Sequence, residues 1–143
     1  MADLDLRGEI AVAIDEAAGH GRALVLGYVA DDGTPSLSYR GSAHVYSPDQ
    51  LAVWARKPDA GLAVAVVARP AVALLYFSRD TPGARYLSIK GRARVAPEAN
   101  DAVYEKMFYR ERDADPDRKG VAILIDVDTV DGAGENGPIH QER

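Results

Sequence analysis

Short apolar runs separated by turn residues extend through most of this sequence, and they constrain the fold more than any other feature. Each run is rich in β-branched or aromatic residues or alternates with period two, as strands do. Turn signals such as Asp31-Asp32-Gly33 and Ser47-Pro48-Asp49 bound them. The predicted strands are 23–30, 36–46, 51–55, 71–77, 85–95 and 121–127. Together with intervening helices, they predict a mainly β fold, a six-stranded antiparallel barrel whose openings the helices cover.

The helical segments are fewer and shorter than the strands. The predicted helices are 5–18, 60–68 with Asp59 as its N-cap, and one that opens at Pro97 and carries Val103, Met107 and Phe108. The charged run 110–120 is typical of a solvated loop. The glycine-rich stretch 131–143 predicts a flexible tail. We therefore expect residues 1–143 to form a single domain.

Composition excludes several classes of function. The formal net charge is −5, which argues against a nucleic-acid partner because such a partner requires a basic face. The absence of cysteine excludes disulfides, thiolate catalysis and zinc sites built from cysteine. No basic segment followed by an apolar leader is visible, and the longest apolar stretches are too short to span a bilayer. We expect a soluble cytoplasmic protein with no membrane partner.

The second predicted strand has a polar face made of small residues. Ser36, Ser38 and Ser42 flank Arg40 there, and the long solvated side chains usual on an exposed face are missing. Small hydroxyls beside a guanidinium suit a flat polar ligand whose phosphate takes two hydrogen bonds from one arginine. A face turned to bulk water is the alternative. His44 shares this face, and we expect a surface histidine whose hydrogen bonds are satisfied, with contact to a ligand as the alternative.

A second cationic feature lies between the third strand and the following helix. Arg56 and Lys57 precede a helix N-terminus, where free amide groups and the helix dipole favour an anion. Gly61 is unusual at a helix start, and close approach of a ligand or tight helix packing would explain it. The alternative for the two cations is a solvated basic turn.

No self-contained catalytic apparatus is visible in the sequence. There is no Gly-x-Ser-x-Gly elbow, no Gly-x-Gly-x-x-Gly fingerprint and no Glu/His spacing that suits a metal. The catalytic residues are therefore unknown, and we predict no metal site. If the protein is an enzyme, its chemistry comes from a bound cofactor.

These features together resemble the pyridoxamine 5′-phosphate oxidase-like family of FMN-binding split barrels. The resemblance covers most of the chain and is clearest over 34–95 and 115–127. It implies FMN bound without a covalent link at the interface of a homodimer. By matching position it places Arg40 at the FMN phosphate, Gly41, Ser42 and Ala43 along the flavin ring, Arg56 and Lys57 beside the ribityl phosphate, Gly61 and Leu62 at the phosphate-binding helix start, and Tyr86 against the flavin.

Two departures from the family pattern bear on the reaction. Ala60-Gly61-Leu62 stands where the oxidase carries Ser-Arg-Lys, and the tail has no counterpart of the oxidase's substrate-binding Arg and His block. The resemblance therefore implies an FMN-dependent oxidoreductase acting on another small organic substrate. A protein that uses the deazaflavin F420, a haem-binding relative and a flavin-binding or sensing module without turnover are the alternatives. The last alternative is a domain that only binds other proteins and leaves its groove empty.

Overall fold

The computed structural model describes residues 2–143, which form one sheet with helices packed on it. The strands are β1 (Ala2–Asp3), β2 (Leu24–Val29), β3 (Pro35–Arg40), β4 (His44–Ser47), β5 (Gln50–Ala55), β6 (Ala71–Phe77), β7 (Tyr86–Val95), β8 (Val121–Gly134) and β9 (Gly137–Glu142). The α-helices are α1 (Glu9–Ala17), α2 (Gly61–Ala68), α3 (Asn100–Lys106) and α4 (Tyr109–Ala114). Within this part of the chain, no helix is both long and apolar enough to cross a membrane.

The long strand β8 organises the sheet. One of its edges pairs with β7, while the other pairs first with β5 over residues 121–126 and then with β9 over 129–134. The ladder continues from β7 through β6 and β2 to β3, and β4 pairs with β5. Among the described residues, no pairing joins β3 to β4, so the barrel is open. The mainly β, largely antiparallel prediction is confirmed, but the sheet has nine strands where six were predicted.

One extra strand arises because the predicted strand 36–46 is two strands. The chain turns after β3, and the amide of Ala43 donates to the carbonyl of Arg40 at 3.3 Å. The turn resets the alternation, so that Ser42 and His44 are buried. The prediction of a surface His44 is therefore wrong. Small residues such as Gly41 and Ser42 fit both a strand and a tight turn, so periodicity alone could not reveal the break.

A second extra strand lies in residues 131–143, where we expected a flexible tail. These residues complete β8 and form β9, which pairs back on β8 from Thr129 to Gly134. Gly132 leaves no room for a side chain against the main-chain oxygen of Tyr86, and Gly137 has φ 104°. The glycines here serve close strand approach and a hairpin turn, which composition alone does not distinguish from flexibility.

The helical predictions hold with shorter bounds. The first helix begins at Glu9 instead of Asp5, and the helix predicted from Pro97 is a 3₁₀ turn followed by α3. Residues 110–120, predicted as a loop, begin inside α4. Tertiary contacts rather than periodicity set these boundaries, because each segment is only one or two turns long.

Two hydrophobic clusters lie on opposite sides of β5 and β8. The larger fills the barrel beneath α1 and α2 and includes Leu6, Ile14, Leu26, Leu51, Val53, Ile89 and Ile123. The smaller packs beneath α3 and includes Ala52, Trp54, Val103, Met107 and Leu124. A strand that is covered on both faces carries apolar side chains on both, so its apolar and polar residues do not alternate. This explains the continuous apolar run of β5.

His44 is buried on β4, in register with Ala52 of β5, in a way that favours its neutral form. Its side chain is 3% exposed, and its Nδ1 lies 2.8 Å from the carbonyl of Ser42, to which it donates. Its Nε2 has no hydrogen-bond partner in residues 2–143. Burial lowers the pKa of His44, which the Ser42 carbonyl opposes, while Lys106 lowers it further and Asp15 raises it.

We predict that His44 makes the protein less stable in mild acid. Because its pKa is lower when folded, the unfolded chain binds more protons as the pH falls below about 6.5, and stability drops by up to about 1.4 kcal/mol per pH unit. Urea unfolding between pH 7.5 and about 5.5 should show this slope in wild type and in exposed His20→Gln, and a flatter one in His44→Gln. An equal slope in His44→Gln would contradict the prediction.

Candidate functional site

A cavity of about 490 Å³ opens where the ends of β3 and β5 meet the start of α2 and the segment that leads into β8. We call it the cationic pocket. Its lining residues are Tyr28, Arg40, Ala55, Arg56, Lys57, Ala60, Gly61, Leu62, Ala114, Asp115 and Lys119. The structure therefore brings together the predicted residues Arg40, Arg56, Lys57, Gly61 and Leu62, although they come from three separate segments.

The cations of this pocket form no direct ion pairs with acidic side chains in the described part of the chain. Within residues 2–143, none of Arg40, Arg56, Lys57 and Lys119 forms an ion pair with a carboxylate. Elsewhere some surface arginines pair, as Arg92 does with Asp128 at 2.9 Å, while others of the described residues, such as Arg79 and Arg85, do not, so the pocket stands out by bringing four such cations together. A chain of net charge −5 thus gathers four cations around one cavity, where Asp115 is the one carboxylate among the lining residues, and this excess of positive charge suits an anion.

Arg40 is the most restrained of these cations. Its guanidinium is half-buried, and its Nε donates to the hydroxyl of Ser38 at 3.0 Å, the one hydrogen bond that the guanidinium makes within residues 2–143. Burial lowers the pKa of Arg40 and nearby Arg56 lowers it further, while Tyr28 and Glu111 oppose these effects. An anion that enters the pocket would meet an arginine already oriented and partly stripped of water.

The start of α2 differs from its prediction. Ala60, not Asp59, occupies the N-cap position, and no side chain caps the helix. The amides of its first turn are therefore not satisfied by a capping side chain, and Ala60, Gly61 and Leu62 line the pocket. Gly61 has φ 55°, a left-handed conformation that glycine adopts without strain.

Asp115 lies at the base of the pocket and fixes the segment that carries Lys119. One of its oxygens accepts from the indole N–H of Trp54 at 2.9 Å and from the amide of Gly120 at 2.8 Å, and the other accepts from the amide of Lys119 at 3.0 Å. Burial raises the pKa of Asp115, but these three donors, with nearby Arg56, bring the pKa below its usual range. The ionised carboxylate of Asp115 therefore holds the segment 115–120 in place through its hydrogen bonds.

Sequence reasoning missed Tyr28, Asp115 and Lys119 as pocket residues. The charged pattern of 110–120 is typical of a solvated loop, and it does not indicate that Asp115 and Lys119 line a pocket. One signal was available: Trp54 is the only tryptophan, and a buried indole N–H requires an acceptor.

The other predicted site residues lie outside the pocket lining. Gly41 packs against Glu111, and Ser42 and Ala43 are buried. The Ser42 hydroxyl accepts from the amide of Trp54 at 2.9 Å, so it supports the same tryptophan that Asp115 holds. Tyr86 begins β7 on the exposed face of the sheet, in register with Phe77.

We expect Asp115→Asn to destabilise the protein by about 1–3 kcal/mol, because an amide group cannot accept from all three buried N–H donors. Exposed Asp117→Asn, two residues away, is the matched control and should lie within about 0.5 kcal/mol of wild type. Chemical unfolding near neutral pH measures both. Equal stability of the two variants would show that the carboxylate does not hold the loop.

Comparison with known proteins places this arrangement in a structural class. No protein family model matches the chain, and neither does any curated protein. An FMN-binding, pyridoxamine 5′-phosphate oxidase-related protein from Nostoc punctiforme is similar in structure, with a TM-score of 0.68, 16% identity, and coverage of 92% of this chain and 85% of that one.

Two further solved structures are similar. General stress protein 26 from Bacillus anthracis has a TM-score of 0.62 and 18% identity, over 92% of this chain and 99% of that one. An F420 reductase has a TM-score of 0.58 and 21% identity, over 76% and 88%. At these identities the likeness concerns architecture. This chain has the split-barrel fold of the pyridoxamine 5′-phosphate oxidase-like proteins.

Proposed function

We propose that this protein is a homodimeric, cytoplasmic, FMN-binding oxidoreductase acting on a small organic substrate, with the phosphate of its cofactor in the cationic pocket. One observation carries the proposal: cationic side chains without carboxylate partners converge on one cavity of an otherwise acidic chain. The similar structures named as FMN-binding and as an F420 reductase support a flavin or deazaflavin ligand.

The pocket residues fit a phosphate monoester. Such a group carries a charge near −2 at pH 7 and several strong acceptor oxygens. Arg40 offers a planar fork of donors, while Arg56, Lys57 and Lys119 offer charge from the other walls. Gly61 and Leu62 present the first turn of α2, whose free amides favour an anion.

FMN, when bound, supplies hydride transfer, and the chain supplies binding and orientation. Arg40, held by Ser38, orients the phosphate, and the Asp115 network keeps Lys119 in place. We propose that Gly41, Ser42 and Ala43 form the turn that packs behind the pocket lining. Tyr86 lies on the exposed sheet face, which in this proposal a second subunit covers.

We predict that Arg56→Ala and Lys57→Ala each weaken FMN binding by about 1.5–3 kcal/mol, because each removes a charge-assisted phosphate contact. Riboflavin, which lacks the phosphate, should bind wild type and both variants alike.

Arg40→Lys should weaken FMN binding nearly as much as Arg40→Ala, since lysine keeps the charge but loses the planar fork. Flavin fluorescence titrations measure these affinities, with Arg7→Ala, an exposed residue paired with Asp5, as control.

Unchanged FMN affinity in Arg56→Ala, Lys57→Ala and the double variant would make this turn a solvated surface feature. The small molecule carried by the purified protein gives the direct test of cofactor identity. Heat release followed by absorbance and mass measurement separates FMN from F420 and haem. Anaerobic bleaching of bound flavin by NADPH would support an enzyme, and its absence would favour a binding or sensing module.

The dimer is proposed from an exposed apolar area of the sheet, which we call the outer sheet face. It consists of Leu37, Tyr39, Leu75, Phe77 and Tyr86, and Leu37 and Tyr39 are 75% and 78% exposed. Strand register makes the area continuous, because Val25 pairs with both Tyr39 and Leu75. Apolar patches of this kind mark interaction sites on soluble proteins. A second copy, presenting the same face about a two-fold axis, is the occupant that the family resemblance implies.

We expect Leu37→Asp combined with Tyr39→Asp to convert the dimer to monomer, because burying two carboxylates at an apolar interface is unfavourable. The matched control is Val67→Asp, which introduces a carboxylate at a residue of α2 that is also 78% exposed. Sedimentation velocity at micromolar concentration, with and without FMN, measures the result. A monomeric wild type in the presence of FMN would contradict the dimer.

A further inference from the structure

Tyr28 is a pocket residue whose hydroxyl makes no hydrogen bond in the part of the chain that the structure describes. It lies on β2, is half-buried and lines the cationic pocket together with Arg40. Its hydroxyl oxygen is 3.7 Å from the position that a Cβ on Gly61 would take, so it lies above the first turn of α2. Within residues 2–143 the hydroxyl makes no hydrogen bond.

We propose that the Tyr28 hydroxyl donates a hydrogen bond to the phosphate of the bound ligand and supplies a share of the phosphate affinity that salt does not screen. This inference rests on the proposed function. The cations attract a phosphate through charge, which ions in solution weaken. A neutral hydroxyl acts only at contact distance, so it recognises an acceptor oxygen instead of negative charge in general.

The backbone around Tyr28 holds its hydroxyl in place. Tyr28 pairs in register with Ser36 of β3, and two residues along that strand Ser38 fixes Arg40. Tyr28 and Arg40 are therefore donors carried by adjacent strands of one rigid sheet. Gly61, with its left-handed φ of 55°, begins α2 next to the Tyr28 hydroxyl. Because glycine has no side chain, nothing from Gly61 stands between the hydroxyl and the first turn of the helix. Donors arranged in advance lose little entropy when a ligand arrives.

The ring of Tyr28 has a separate role, which affects the choice of variant. It also lines a neighbouring cavity of about 310 Å³, whose lining includes Asp31 and Asp59. The ring is thus a wall shared by a cationic cavity and one that contains two carboxylates. A small replacement would join the two cavities and change their electrostatics. Tyr28→Phe keeps this wall and removes only the hydroxyl, so it is the informative change.

The test compares FMN and riboflavin binding to wild type, Tyr28→Phe and Tyr46→Phe at low and at high salt. Tyr46 is a matched control, because its hydroxyl also lacks a hydrogen bond within residues 2–143 and lies outside the pocket. We expect Tyr28→Phe to bind FMN roughly 10-fold more weakly or worse, by the same factor at both salt concentrations. Its riboflavin affinity should be unchanged. The deficit of Arg56→Ala, in contrast, should shrink as salt rises.

Equal FMN affinity of Tyr28→Phe and wild type would overturn the inference and leave the proposed function standing. Equal losses for FMN and riboflavin would also overturn it, since the hydroxyl would then contact another part of the ligand. If wild type binds no FMN, the proposed function fails, and pyrophosphate becomes the probe in a thermal unfolding assay. Protection by pyrophosphate that is lost in Tyr28→Phe would still support the hydroxyl as an anion donor, and protection unchanged in this variant would overturn that role too.

Discussion

The pocket depends on the hydrogen bonds that the buried carboxylate of Asp115 accepts. It joins the only tryptophan, on β5, to the main chain that leads into β8, through N–H groups of Trp54, Lys119 and Gly120. Ser42 holds Trp54 from the opposite side through its amide. A charge removed from water is stable only when its acceptors are filled, and here three donors fill them. The same bonds that satisfy Asp115 therefore define where Lys119 stands.

The pocket combines one rigid wall with more exposed ones. Arg40 and Tyr28 lie on paired strands, and Arg40 is restrained by Ser38. Arg56 and Lys57 are exposed residues between β5 and α2. Such a division suits recognition, because exposed charges attract an anion over a distance while oriented donors select it at contact. The acidic balance of the rest of the chain makes this positive region locally distinct.

Sequence reasoning identified the features that depend on local pattern. Strand periodicity located most of the sheet, and Arg40, Arg56 and Lys57 stood out by residue type and position. What it missed depends on contacts distant in sequence. Tyr28 lies in an ordinary apolar strand, and only the approach of Gly61 makes it a pocket residue. His44 became buried through a turn that its period-two pattern did not reveal, and β9 was hidden by glycines that serve strand pairing.

The pairing of β8 with both β5 and β7 has a thermodynamic consequence. The pocket's walls come from β2, the end of β3, the end of β5, the start of α2 and the segment that leads into β8. The sheet brings them together through the path β3-β2-β6-β7-β8-β5, in which β8 is the link between β7 and β5. An unfolded chain cannot present Tyr28 and Lys119 to the same ligand. Any anion bound there therefore adds to the free energy of unfolding by mass action, about 2.7 kcal/mol at roughly 100 times its Kd. The concentration of that ligand would thus set how much of the protein is folded at any moment.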